Sequence, residues 1–228
     1  MGRLELAGEA FCTGALIEPG LVLTAAHCLY DPATGARIAV QDIQFMAGWR
    51  NGRAAAYRRV KRAVTHPDYQ YSGPADAERV RNDVALIELQ HPIRNTTITP
   101  FATDVRPAEG ARVGVVSYGH NRSEAPSLQE VCDVINRQQG MLVLSCAVDF
   151  GASGSPVFSF GADGTPRIVS VVSAKAEANG APVSLGTSLE APLNILRATL
   201  ASAQNPGVGT EPLTAGNRRE TGAKFVKP

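Results

Sequence analysis

Three short segments carry side chains that could do chemistry together: Thr24-Ala25-Ala26-His27-Cys28, Asn82-Asp83-Val84-Ala85-Leu86 and Gly151-Ala152-Ser153-Gly154-Ser155-Pro156. They supply an imidazole, a carboxylate heading an apolar run, and a hydroxyl in a glycine-rich turn. Nucleophilic acyl transfer requires that set. A serine hydroxyl attacks poorly unless a neighbouring imidazole takes its proton, and the imidazole works best when a buried carboxylate fixes its tautomer. Glycines beside the serine permit a tight turn whose N–H groups can face a developing oxyanion. Each segment alone has a plainer reading. A histidine beside a cysteine is commonly structural, and an aspartate heading a strand is commonly a cap.

The elements that must position these groups are short. Ala15-Leu16-Ile17, Leu21-Val22-Leu23, Val84 to Leu89, Arg112 to Tyr118 and Ile168 to Val172 are rich in Val, Ile and Leu and bounded by Gly, Pro or Asp, which predicts strands. Helical periodicity is clear only from Ala191, where Leu193, Leu196 and Leu200 recur at steps of three and four and Pro192 suits a first turn. After Gln204 the chain has too little apolar surface to pack, so 205–228 reads as an extended or disordered tail. The turn-rich stretch Pro100 to Gly114 loosely halves the chain. The pattern is all-β, in two lobes.

Cys12, Cys28, Cys132 and Cys146 contain no C-x-x-C pair, which disfavours a zinc ribbon or a dithiol redox site. They form two local pairs. Cys132 and Cys146 lie in strand-like runs, Leu128 to Arg137 and Met141 to Val148, joined by Gln138-Gln139-Gly140, so they face each other across a hairpin. Cys12 and Cys28 close a loop of similar size. Two disulfides imply an oxidising compartment. Met1 to Leu6 has no apolar core or cleavage site of a leader peptide, so the reading is of a mature chain, secreted or periplasmic.

Composition excludes other classes. In 228 residues, 22 Lys+Arg balance 21 Asp+Glu to +1, which gives no global attraction for nucleic acid or an anionic membrane. Apolar residues make up 44%, and no apolar run approaches the length of about 20 residues needed for a spanning helix. Arg50, Arg53, Arg58, Arg59, Lys61 and Arg62 form a basic run without an acid, which reads as a solvated strand face or surface loop. Four histidines show no metal-ligand spacing, so neither metal nor cofactor is expected.

Together the three segments resemble the chymotrypsin/trypsin-like serine proteases. Cys12-Thr13-Gly14-Ala15-Leu16-Ile17 followed by Val22 to Cys28 is similar to that family's histidine segment, straddled by a disulfide. His66-Pro67-Asp68-Tyr69 resembles a signature between histidine and aspartate, Asn82 to Ile87 the aspartate strand, and Gly151 to Pro156 the serine loop. The resemblance implies His27 as general base, Asp83 as its orienting carboxylate, Ser153 as nucleophile, and the N–H groups of Gly151 and Ser153 as oxyanion hole. It also implies two six-stranded antiparallel barrels with the site between them and a C-terminal helix. The first barrel would cover about 1–103, the second about 104–190 and the helix about 191–204. Chain order separates this from the α/β-hydrolase elbow, G-x-S-x-G in the order Ser, Asp, His. Here position 155 is Ser, and the order is His27, Asp83, Ser153.

The departures are informative. Digestive members carry an aspartate just before the serine that pairs with a new N-terminal amine; this chain has Ala152. The Ser-Gly-Ser-Pro-Val order resembles bacterial relatives, including glutamyl endopeptidases. The resemblance places Ala147, Val148, Asp149, Phe150, Ser173, Ala174, Lys175 and Gly186 around the pocket for the residue preceding the scissile bond (P1), with Ser173 near the aspartate. With Ala147 at the pocket base and Lys175 on its wall, small apolar or acidic P1 side chains are expected. The overall expectation is a monomeric, secreted bacterial serine endopeptidase acting on polypeptides. The rival from another class is a catalytically silent binding protein on the same fold.

Overall fold

Alternation in the opening residues sets the first strand. In β1 (Gly2–Leu6), Leu4 and Leu6 are buried, while Arg3 and Glu5 share the other face and pair at 3.0 Å. The computed structural model describes residues 1–72, 76–104, 107–119, 122–146, 152–178 and 180–202, with backbone only at 130 and 131. β2 (Ala10–Glu18), β3 (Leu21–Thr24), β4 (Ile43–Ala47), β5 (Ala56–Thr65) and β6 (Ala85–Leu89) complete a closed barrel in the order β1-β2-β3-β6-β5-β4. A second closed barrel, β10-β11-β12-β9-β8-β7, comprises β7 (Arg112–Gly119), β8 (Arg122–Gln138), β9 (Met141–Leu144), β10 (Pro156–Phe160), β11 (Pro166–Ala178) and β12 (Ala181–Ser188). All strand pairings within both barrels are antiparallel.

The runs expected to be strands fall within β2, β3, β7 and β11 and, but for Val84, within β6. The pattern did not reveal β1, β4, β5, β10 or β12, nor the short helix α1 (Ala77–Asn82). Four residues of the basic run, Arg58, Arg59, Lys61 and Arg62, lie in β5, while Arg50 and Arg53 lie in the turn before it; the acid that the run lacks comes from the neighbouring strand. Glu88 of β6 accepts from Lys61 Nζ at 3.0 Å and from Arg62 Nε at 2.8 Å. Strand pairing therefore supplies what the local sequence lacks.

Valines and leucines from β7 to β11 fill the second barrel, among them Val113, Val134, Leu142, Leu144, Val157 and Val172. The larger core begins inside the first barrel with Leu4, Leu16, Phe45 and Leu86 and continues over the outer side of β10 and β11 through Phe158, Ile168 and Val171. The terminal helix closes it. α2 (Glu190–Ser202) buries Leu193, Leu196 and Leu200 in that core and packs against β5 and β6. The helix was expected at about 191–204, and α2 begins one residue earlier; residues 203 and 204 and the tail expected at 205–228 lie outside the described residues.

Both cysteine pairs are bonded as expected: Cys12–Cys28 with Cα atoms 6.1 Å apart and Cys132–Cys146 at 5.0 Å. The second crosses the β8–β9 hairpin, in which Gln138 pairs with Met141 around Gln139 and Gly140, both at positive φ. That is the two-residue turn geometry favoured between twisted strands.

Candidate active site

The aspartate is set by the short helix before it. Asp76 caps α1 by accepting from the Arg79 N–H at 2.8 Å, and the helix ends at Asn82, leaving Asp83 as its C-cap with φ −79° and ψ 66°. The preceding motif anchors this segment. The His66 N–H donates to the Val84 carbonyl at 3.2 Å, and Asn82 Nδ2 donates to the Asp68 carbonyl at 3.4 Å. Tyr69 is buried beside it; burial pushes its phenol pKa well up, and the Asp83 carboxylate adds to the effect.

The histidine sits in a 3-10 turn, Ala26–Leu29, pinned on one side by the Cys12–Cys28 bridge. Asp83 holds it at two points. Carboxylate Oδ1 accepts the His27 backbone N–H at 2.8 Å, and Oδ2 lies 2.7 Å from His27 Nδ1. The Ser173 hydroxyl donates to the same Oδ2 at 2.5 Å. Asp83 is 2% exposed, whereas the imidazole keeps 22% of its side chain accessible. With Asp83 Oδ2 as the acceptor beside it, Nδ1 is the ring nitrogen that carries the proton, and Nε2 is left as the basic lone pair.

The serine loop bridges the two barrels. The Ser153 carbonyl accepts from the Thr13 N–H of β2 at 2.9 Å, while the Gly154 N–H donates to the Val172 carbonyl of β11 at 3.0 Å. Gly154 has φ +75°, and a Cβ there would overlap Thr24 Oγ1 and lie 2.5 Å from the Thr13 carbonyl oxygen. Only glycine fits such an approach at that backbone angle. Thr24 in turn donates to the Thr13 carbonyl at 2.9 Å, and Thr13 Oγ1 accepts the Tyr118 N–H of β7 at 3.0 Å. The serine turn therefore packs onto the end of β3 that leads into His27.

Of the residues expected at the site, His27, Asp83 and Ser173 are in direct contact, and Ser153 lies in the turn packed against the segment carrying His27. Ala174 and Lys175 follow Ser173 along β11, facing Leu185 and Ser184 of β12, and Gly186 pairs with Val172. Gly151, Ala147, Val148, Asp149 and Phe150 lie outside the described residues. The sequence assigns no role to the hydroxyls of Thr13, Thr24 and Ser184, because small hydroxyl residues within strands look like ordinary alternation. The atoms of Cys12, His27 and Cys28 that could ligate a metal gather within 4.8 Å of one another. Both sulfurs are consumed by the disulfide, so that cluster offers no thiolate.

Residues 1–188 match the family model for trypsin. The chain is 32% identical over 129 residues to mannan-binding lectin serine protease 1 of Homo sapiens, a stretch covering 50% of this chain and 18% of that protein. It is 30% identical over 139 residues to granzyme M of Rattus norvegicus, covering 58% of this chain and 50% of that one. The chain thus spans half or less of the length of these curated relatives. Among solved structures, a Glu endopeptidase in complex with MPD shares the fold with a TM-score of 0.69 at 18% identity, covering 88% of this chain and 90% of its own. With the family match extending over both barrels, the chain belongs to the trypsin family.

Proposed function

We propose that this chain is a serine endopeptidase that cleaves polypeptides through an acyl-enzyme. Ser153 Oγ attacks the scissile carbonyl carbon while its proton passes to His27 Nε2. The resulting oxyanion is stabilised by the N–H groups of Gly151 and Ser153. His27 then gives that proton to the leaving amine as the C–N bond breaks, and water, deprotonated by the same imidazole, hydrolyses the ester. The Asp83 carboxylate orients the ring and stabilises the imidazolium. The observation that carries this reading is the two-point grip of Asp83 on His27, through Nδ1 and through the backbone N–H, in a buried position.

The working unit in this reading has one barrel from about 1 to 103, a second from about 104 to 190 and the helix, with both barrels needed for one site. The two disulfides favour an oxidising location, so it acts as a secreted or periplasmic bacterial protein, monomeric, without nucleic-acid or membrane partners. A fluorophosphonate probe tests the central claim. Stoichiometric labelling at Ser153, lost in Ser153→Ala, is expected. An unlabelled, folded protein would instead be a silent binding module.

A further inference from the structure

One hydroxyl of the second barrel reaches across to the backbone that carries Asp83. Thr187 of β12 is fully buried, and its Oγ1 donates to the Val80 carbonyl at 2.7 Å, with the Asp83 carbonyl as a second, longer acceptor at 3.2 Å. Strand register explains the direction. Thr187 pairs with Val171 of β11, whose side chain belongs to the core on the outer side of the barrel, whereas the preceding Gly186 pairs with the interior residues Val172 and Leu142. Directly opposed residues share a face of the sheet, and successive residues alternate between faces. Thr187 therefore points out of the second barrel, towards α1, which packs against β12.

The acceptors are groups that α1 cannot satisfy by itself, since a helix ends with carbonyls that have no full partner within it. The Val80 carbonyl takes only the Asp83 N–H, at 3.3 Å, from inside this turn, and Asp83 as C-cap has already left helical geometry. Both residues are buried, where a carbonyl without a donor is costly. The donor is itself held in place. The Ser170 hydroxyl donates to the Thr187 carbonyl at 2.8 Å, and the Ser188 N–H donates to the Gly140 carbonyl at 2.9 Å. Asp83 is thus gripped at both ends from the second barrel, at its carboxylate by Ser173 of β11 and at its backbone by Thr187 of β12. We propose that Thr187 is a positioning residue for the triad: its hydroxyl fixes the backbone from which the Asp83 carboxylate reaches His27 Nδ1. This rests on the serine endopeptidase reading above and extends it to a residue that burial closes off from substrate.

The test uses two matched pairs that differ by one hydroxyl: the wild type against Thr187→Val, and Thr187→Ser against Thr187→Ala. Each is assayed for kcat and KM on one peptide ester, well below its unfolding transition. Loss of the hydroxyl should lower kcat by about tenfold to a hundredfold in both pairs, the scale of a small misplacement of a catalytic group, with KM within about twofold. Thr187→Ser should keep kcat within about twofold of the wild type, although it gives up a buried methyl. The Ser–Ala pair keeps the experiment decisive if Thr187→Val does not fold. Proton NMR of the His27 Nδ1–H, deshielded by its bond to Asp83, adds a readout that a loss of stability alone leaves in place. That resonance should move in Thr187→Val and Thr187→Ala and stay put in Thr187→Ser. Equal kcat with and without the hydroxyl, a loss confined to KM, or an unmoved resonance overturns the proposal. Fluorophosphonate labelling of Ser153 in the same samples separates the two levels. A labelled wild type whose variants all turn over alike refutes the role of Thr187 alone, whereas an unlabelled wild type refutes the protease reading and that role with it.

Discussion

Asp83 has few ways to be replaced. Its carboxylate accepts from the His27 backbone and the Ser173 hydroxyl and touches His27 Nδ1, so an amide in its place would present an NH2 group where an acceptor is needed. Asp83→Asn should fold and yet lower kcat by a factor on the order of 10⁴ through the wrong imidazole tautomer, with Ser153→Ala losing nearly all turnover. Hydrolysis of a peptide ester at near wild-type rate by either variant would end the triad assignment. At Gly154 the constraint is steric. Gly154→Ala adds a left-handed backbone penalty of about 1–2 kcal/mol and forces Thr24 and Thr13 away from the serine turn. Denaturant unfolding should show a loss larger than that penalty alone, and turnover should fall with it. These residues were legible in the sequence because their chemistry is rare in combination: an imidazole, an acid and a serine beside glycines, in three short segments. Ser184 was not. Its burial follows from the strand register that sets it opposite Leu144, and register of that kind is a product of the closed barrel.

The elements differ in how far local sequence specifies them. β6 and β7 are apolar runs and read directly, whereas β5 carries Lys61 and Arg62, which make sense only once Glu88 of β6 lies beside them. α1 is six residues with no apolar period, so its existence rests on the Asp76 cap and on docking against β12. The motif His66 to Tyr69 helps hold that helix, which gives it a pH dependence. His66 is buried, and its Nδ1 accepts the Asp68 N–H at 3.3 Å, a role open only to the neutral ring. Burial lowers its pKa; the Asp68 carboxylate opposes this shift and the Arg81 charge reinforces it. With a folded pKa below the unfolded one, the unfolded chain binds the extra proton first. The stabilisation is therefore complete above about pH 6.5, the unfolded imidazole value, and is lost as the pH falls through the lower, folded pKa. Unfolding free energy measured from about pH 8 down to 5 should decline less steeply in His66→Gln than in the wild type. Identical slopes would remove His66 from the account. The Cys12–Cys28 bridge acts on the same scale: replacing both cysteines by alanine should cost about 3 kcal/mol in the chain-entropy account, and activity too, because the bridge pins the turn carrying His27.

Across the whole molecule, the site exists only if two barrels keep a fixed relation, because His27 and Asp83 come from the first and Ser153 and Ser173 from the second. Two physical ties maintain it. One is the polar seam at the serine turn, where Thr13 of β2 bonds both the Ser153 carbonyl and the Tyr118 N–H. The other is the large core, which passes from the first barrel over Phe158, Ile168 and Val171 of the second and is sealed by α2. That helix leaves the second barrel and lies against β5 and β6 of the first, with Arg62 of β5 donating to the Leu200 carbonyl near its end at 3.3 Å. A helix used in this way is a clamp, and its central contact is Leu196, fully buried. Leu196→Ala should cost about 2–5 kcal/mol, the range for emptying a buried leucine site. Since the core it serves is shared, the loss should move the unfolding of the whole molecule. Intrinsic fluorescence, with Trp49 in the turn between β4 and β5, and far-UV circular dichroism should report one coincident transition in both wild type and variant, shifted to lower denaturant with little change in slope. Separate transitions, with the Trp49 signal unmoved by Leu196→Ala, would mean that the barrels fold as independent units and that the polar seam alone aligns the site.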